Sequence, residues 1–153
     1  MHPNTLTHCR PIRFAVLMCA ALSFGAAQAA EEDIVMYKDP NCGCCGQWAE
    51  HLRANGFSVR EVVTRDMAAI KREAGLPPEL ASCHTTRVGG YVVEGHVPAA
   101  DIRRLLAERP PVVGISAPGM PLGSPGMEGP YPAESYRVLS FESDGRTQVL
   151  AEH

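Results

Sequence analysis

The sequence predicts an α/β domain: a small central mixed sheet with helices on its faces, then a long Gly/Pro-rich loop and a C-terminal hairpin. Three observations carry this. Short apolar or alternating runs of strand length take turns with runs whose apolar residues recur every three or four positions. Asn, Asp, Gly and Pro mark the boundaries between them. The chain of 153 residues has 14 Gly and 13 Pro, and many of these fall between Pro110 and Pro132 rather than in the periodic segments.

The first segment, Met1 to Ala29, reads as a cleavable leader. Arg10 and Arg13 give a positive start, and FAVLMCAALSFGAA is an apolar run too short to span a bilayer with ordinary loops after it. Ala27, Gln28 and Ala29 supply the small-x-small pattern of a signal-peptidase site. A short membrane anchor is the competing reading, and the length of the run favours the leader. The mature domain is therefore expected over residues 30–153, exported across an inner membrane into the periplasm.

Cleavage would leave twelve basic against seventeen acidic residues, a net charge of −5, and only Cys42, Cys44, Cys45 and Cys83 of the six cysteines. A mildly acidic surface without basic clusters argues against nucleic acid as a partner. No further run is long enough to cross a membrane, so a soluble mature protein is expected. Its length suits one domain with a modest core.

DIVMYKD, Asp33 to Asp39, is apolar in its middle and ends at Pro40, as a buried strand does. Asn41 is the expected cap of a helix through GCCGQWAEHLRANG, which Gly56 stops. On it Cys45, Trp48, Ala49 and Leu52 share one face. FSVREVVT is a second strand. DMAAIKREAG is a second helix, with Asp66 as cap and Gly75 as stop, and Pro77 and Pro78 reopen the chain. TTRVGGYVVEGHVP reads as a hairpin whose turn holds Glu94 and Gly95. PAADIRRLLAERP is a third helix, with Pro98 at its start, Ile102, Leu105 and Leu106 inward, and Pro110 beyond its end. The stretch Pro110 to Pro132 is too rich in Gly and Pro for long regular structure, and a loop of that length is functional or disordered. SYRVLSF and TQVLAE, separated by ESDGR, form a closing hairpin. Strand, helix, strand, helix, hairpin, helix is the order of a thioredoxin-like sandwich, in which the first strand delivers the cysteines to the start of the first helix.

Cys42 and Cys45 stand in C-x-x-C spacing at that helix start. Three residues is nearly one turn, so both sulfurs can face one way, and backbone amides with the helix dipole favour thiolate there. Disulfide exchange and metal ligation are served equally well. Cys44 favours metal: a dithiol catalyst needs two sulfurs, whereas a thiophilic ion gains from a third. Gly43 and Gly46 leave room for a ligand close to the backbone. Cys83, in SCHT, is the fourth sulfur, and its loop approaches the helix start in a thioredoxin-like arrangement. The plainer alternative is a structural disulfide from Cys83 to one of the three.

Met120 and Met127 flank PLGSPG in the long loop. They either pack the loop down or act as soft thioether ligands. Thiolates with thioethers select Cu(I), and zinc sites rarely use methionine. His84 and His96 are each either a surface histidine or an imidazole donor to the same ion. His51 lies seven positions beyond Cys44, about 10 Å along a helix, too far to share one ion. His2 and His8 go with the leader and His153 is terminal, so these are set aside.

The segments KDPNCGCCGQWAEHLRANGF, SCHT, GYVVEGHVPAADIRRLL and PGMPLGSPGMEG resemble the CopG-type copper proteins of Gram-negative bacteria, a family formerly labelled a domain of unknown function. The resemblance covers most of the mature chain and implies a periplasmic, thioredoxin-like protein. It implies copper binding alongside copper-resistance systems, with a redox role toward copper. The family's cysteine motif carries onto Cys42, Cys44 and Cys45, its later cysteine onto Cys83, and its histidine and methionine motifs onto His84, His96, Met120 and Met127. Thioredoxin-like redox enzymes place a cis-proline just before a central strand, opposite the active-site helix. The corresponding stretch here, HTTRV, has no proline, which weakens general thiol exchange.

The leading expectation is a periplasmic protein of copper resistance or homeostasis, with copper ions and other periplasmic copper-handling proteins as partners. It would bind Cu(I) in a Cys-rich pocket, as one ion or as a multinuclear thiolate cluster, and interconvert Cu(I) and Cu(II) with Cys42 and Cys45 as the electron-accepting pair. The alternatives are a thiol-disulfide oxidoreductase acting through Cys42 and Cys45, and a zinc- or disulfide-stabilised binding module.

Overall fold

The computed structural model describes residues 33–153, so the expected leader lies outside the described residues. Seven strands form one mixed sheet, in the order β2-β1-β3-β4-β5-β6-β7. β1 (Ile34–Lys38) is followed by α1 (Gly43–Ala54), β2 (Val59–Val63) and α2 (Met67–Glu73). The hairpin β3 (His84–Val88) and β4 (Tyr91–Glu94) comes next, then α3 (Ala99–Glu108). β5 (Gly114–Ser116), β6 (Arg137–Phe141) and β7 (Thr147–Glu152) complete the sheet. The expected thioredoxin-like sandwich is present in the first seven elements: β1 runs parallel to β2 and antiparallel to β3, and β3 antiparallel to β4. β5 joins parallel to β4 and carries the closing β6–β7 hairpin outward.

The core lies between the sheet and the buried faces of α1 and α3. Cys45, Trp48, Ala49 and Leu52 of α1 meet Ile34 and Met36 of β1, while α3 contributes Ile102 and Leu105. The helical spacing thus puts in the core the residues whose burial supplies most of the driving force, about 1.5–3 kcal/mol for a large apolar side chain. Trp48, fully buried, satisfies its indole N–H on the Val97 carbonyl at 2.9 Å.

Two expectations need correction. Asn41 does not cap α1. The N-cap is Cys42, without a side-chain bond, because Asp39 takes the preceding amides, the Asn41 N–H on its carboxylate at 2.8 Å and the Cys42 N–H on its carbonyl at 3.1 Å. The first hairpin turns at Gly89 and Gly90, both with positive φ, and not at Glu94 and Gly95. Glu94 is a fully buried residue of β4. The Gly/Pro-rich stretch also holds one short strand, β5, whose three residues are all buried. Asp66 caps α2 as expected, its carboxylate accepting the Ala69 N–H at 2.9 Å.

Candidate metal centre

Strand register gathers the sulfurs. Lys38, the last residue of β1, pairs with His84, the first of β3, so Cys83 stands beside the turn that leads into α1. The helix start carries Cys42, Cys44 and Cys45. One sulfur from each of these four cysteines lies within 4.8 Å of every other. Cys44 Sγ is 3.7 Å from Cys42 Sγ and 4.0 Å from Cys83 Sγ. Cys42 and Cys45 are joined as a disulfide, while Cys44 and Cys83 are free thiols. Cys83 is therefore not in the structural disulfide weighed as the plainer alternative.

His84 and His96 complete a second group around the same sulfur. Cys83 Sγ is 3.2 Å from His84 Nδ1 and 3.1 Å from His96 Nε2, and the three donor atoms lie within 4.8 Å of one another. The His96 carrier is the hairpin: the Gly95 N–H donates to the His84 carbonyl at 3.0 Å, which turns the chain back over Cys83. Both rings are fully buried, so neither is the surface histidine also considered. His96 Nδ1 is 2.8 Å from the Pro125 carbonyl. A carbonyl only accepts, so Nδ1 carries the proton and Nε2 presents a lone pair to Cys83. Metal-binding histidines are commonly oriented by such a bond. His84 Nε2 is buried without a hydrogen-bond partner among the described residues.

Electrostatics keep these groups neutral while no metal is bound. Burial, then the neighbouring Cys44, pushes the Cys83 thiol up to about 12, against the opposing Ser82 hydroxyl. The favourable amides of the helix start act on α1's cysteines, and Cys83 lies across from them, where desolvation wins. Burial likewise holds His96 below 6.5, and His84 well below it with the help of His96 and Lys71. Beneath the thiols sits a buried carboxylate, Glu94. It accepts from Lys71 Nζ, from the Ser82 N–H at 2.7 Å and from the Thr85 hydroxyl at 2.6 Å. Burial raises its pKa, and those partners oppose the rise. This pair, 23 residues apart, was not foreseen from sequence, which offers no local signal for it.

An open groove of about 500 Å³ runs over the thiols, with Cys42, Cys44, Cys83, Lys71 and Met120 in its wall. Met120 is brought there by backbone: the Gly119 N–H donates to the Ala81 carbonyl at 3.1 Å. Met127 is half-buried and is not among the residues lining this groove. Its segment instead packs on α1 through Gly126, where a Cβ would sit 2.6 Å from Trp48 N and 3.1 Å from Cys44 O. His51 stays outside the centre, accepting the Ala99 N–H at 3.2 Å. No helix among the described residues is long and apolar enough to cross a membrane.

Comparison with known proteins bears on this arrangement. A family described as a protein of unknown function, DUF411, matches residues 80–127, which hold Cys83, His84, His96 and both loop methionines. The fold and sequence are similar to a solved structure of copper resistance protein copG, Form 2, with TM-score 0.76 and 48% identity over 80% of this chain and 98% of that one. Form 1 of the same protein gives TM-score 0.75 and 49% identity over 79% and 96% of the two chains. No curated protein matches.

Proposed function

Since the chain belongs to the CopG family of copper resistance proteins, we propose that it binds copper as cargo at the thiol groove and exchanges electrons with it. The observation that carries the reading is the convergence of four cysteine sulfurs within 4.8 Å, with two buried imidazoles on the far side of one of them. Soft thiolates suit Cu(I), imidazoles suit copper in either oxidation state, and a thioether from Met120 adds a neutral soft donor. Cys83 belongs to both donor groups, and thiolate sulfur has lone pairs for two metals. The centre therefore suits a multinuclear cluster in which Cys42, Cys44, Cys45 and Cys83 hold one side and Cys83, His84 and His96 the other. Met127 is not among the residues lining the groove, which favours Met120 over it as the thioether donor.

The disulfide supplies the redox partner. Two Cu(I) ions give one electron each, the Cys42–Cys45 bond breaks to two thiolates, and two Cu(II) ions result. The reverse reaction reduces two Cu(II) and restores the disulfide. Export to the periplasm by residues 1–29 would place this chemistry beside other copper-handling proteins, and cell fractionation with N-terminal sequencing of the mature chain tests it.

Anaerobic Cu(I) titration of the reduced protein tests the binding. The Cys44→Ser, Cys83→Ser double variant is expected to bind about a hundredfold more weakly, roughly 2.7 kcal/mol. Equal affinity would remove the reading.

A second reading is supported by the disulfide at a helix start: thiol exchange with proteins. Against it, the residue before β3 is Cys83, and no peptide bond among the described residues is cis. Insulin reduction by the Cys44→Ser variant at the rate of a dedicated dithiol enzyme would favour this second reading. Zinc in place of copper after native isolation would favour a binding module.

A further inference from the structure

Met67 opens α2, and together with Met120 it lines the groove above Cys42, Cys44 and Cys83. Neither thioether belongs to the core. α2 buries none of its residues, and Met120 is 54% exposed. A large apolar side chain gains about 1.5–3 kcal/mol from full burial, yet Met67 is only partly buried and Met120 is exposed, both in the groove wall over three cysteines. Thioether sulfur is soft, neutral and weakly binding, and suits a monovalent soft cation.

Both positions are fixed by backbone contacts. Met67 follows Asp66, whose carboxylate caps the helix at the Ala69 N–H. Met120 follows Gly119, which bridges to Ser82 beside Cys83. The charges in the same wall do not oppose a cation, because Asp39 lies there and the Lys71 ammonium is paired with Glu94.

We propose that Met67 and Met120 form an entry station that takes Cu(I) from a weakly bound cuprous complex and passes it to Cys44 and Cys83. The inference rests on the copper reading of the thiol groove. The step is a ligand exchange in which copper stays Cu(I). Two Cu–thioether bonds break, two Cu–thiolate bonds form, and the thiol protons of Cys44 and Cys83 leave to solvent. Neutral thioethers leave the ion its full charge and release it readily. Thiolates neutralise it, so the exchange runs inward.

The test compares wild type with Met67→Leu, Met120→Leu, a volume-conserving change. Cu(I) is delivered anaerobically from its coloured bicinchoninate complex to the reduced proteins by stopped flow. The variant is expected to take up Cu(I) about tenfold more slowly. Equal rates overturn the entry station and leave the thiol centre standing. A wild type that takes no copper overturns both. A second measurement keeps the question apart from the loaded centre. The Cys44→Ser, Cys83→Ser variant retains the Cys42–Cys45 disulfide and is titrated with Ag(I) while its methionine methyl resonances are followed. Those of Met67 and Met120 are expected to shift together, with buried Met36 as reference. Stationary Met67 and Met120 signals overturn the proposal.

Discussion

The Nδ1–H of His96 donates to the Pro125 carbonyl at 2.8 Å, and this bond turns the ring's lone pair on Nε2 toward Cys83 Sγ at 3.1 Å. A loop residue 29 positions away thus sets the protonation pattern of a donor in the centre. Long-range nitrogen–proton correlation spectra of the metal-free protein are expected to show His96 as the Nδ1–H tautomer. Its Nε2 resonance should then move on Cu(I) loading. An Nε2–H tautomer would contradict the assignment.

Gly126 holds the same loop against α1. With φ of +81° and no space for a Cβ beside Trp48 N, Gly126→Ala strains the backbone and lifts Pro125. A stability loss of about 1–3 kcal/mol is expected by urea unfolding, together with weaker copper binding. Gly129→Ala, where nothing lies within 4 Å, serves as the control and should change neither.

The buried histidines make the metal-free protein sensitive to acid. Both have folded pKa values below the ordinary 6.5. At a pH just under 6.5 the unfolded chain therefore binds protons that the folded one refuses, and stability falls as pH falls through that window. Glu94 acts in the opposite sense, since its raised pKa gives a stabilisation that is lost as pH rises. The histidine share is isolated by difference. Urea midpoints of reduced wild type should drop between pH 7 and 5 more steeply than those of His84→Leu. Parallel curves would show that His84 is not held neutral.

Trp48 reports on the centre. It is the chain's one tryptophan, and its ring centroid lies 4.4 Å from that of His84. The indole therefore packs against a ring that would hold the copper. Emission is expected to fall on copper loading and to recover on chelation, with Cys83→Ala giving a much smaller change. Full quenching in that variant would place the ion elsewhere.

Much of the fold could be read from the chain because its elements announce themselves locally. Cys45, Trp48, Ala49 and Leu52 sit at helical spacing and are all buried, and Asp66 caps its helix as its position suggests. Misreadings arose where two local signals compete. Gly95 has positive φ, as a turn residue does, yet the strand runs to Glu94 and the reversal is made by Gly89 and Gly90. Asn41 is a good capping residue, but its N–H and that of Cys42 are tied back to Asp39, and the helix starts one residue later with Cys42 at the cap. β5 has three residues and exists only because β4 and β6 flank it.

The centre was legible as chemistry more than as geometry. Four cysteines and two histidines converge as their residue types suggest. Which methionine shares the groove depends on loop packing: Met120 does, and Met67, whose place on an apparently ordinary helix face hid it, does as well. The Pro125 carbonyl has no signature at all, since every residue carries one.

A lone sulfur common to both donor groups has a kinetic implication. Cys83 must surrender its proton before either neighbourhood can fill, and burial resists that step. Once an arriving ion has expelled it, a second ion meets a sulfur already ionised and already facing two imidazoles. Half-filled molecules should therefore be scarce, and the population should divide into empty and full.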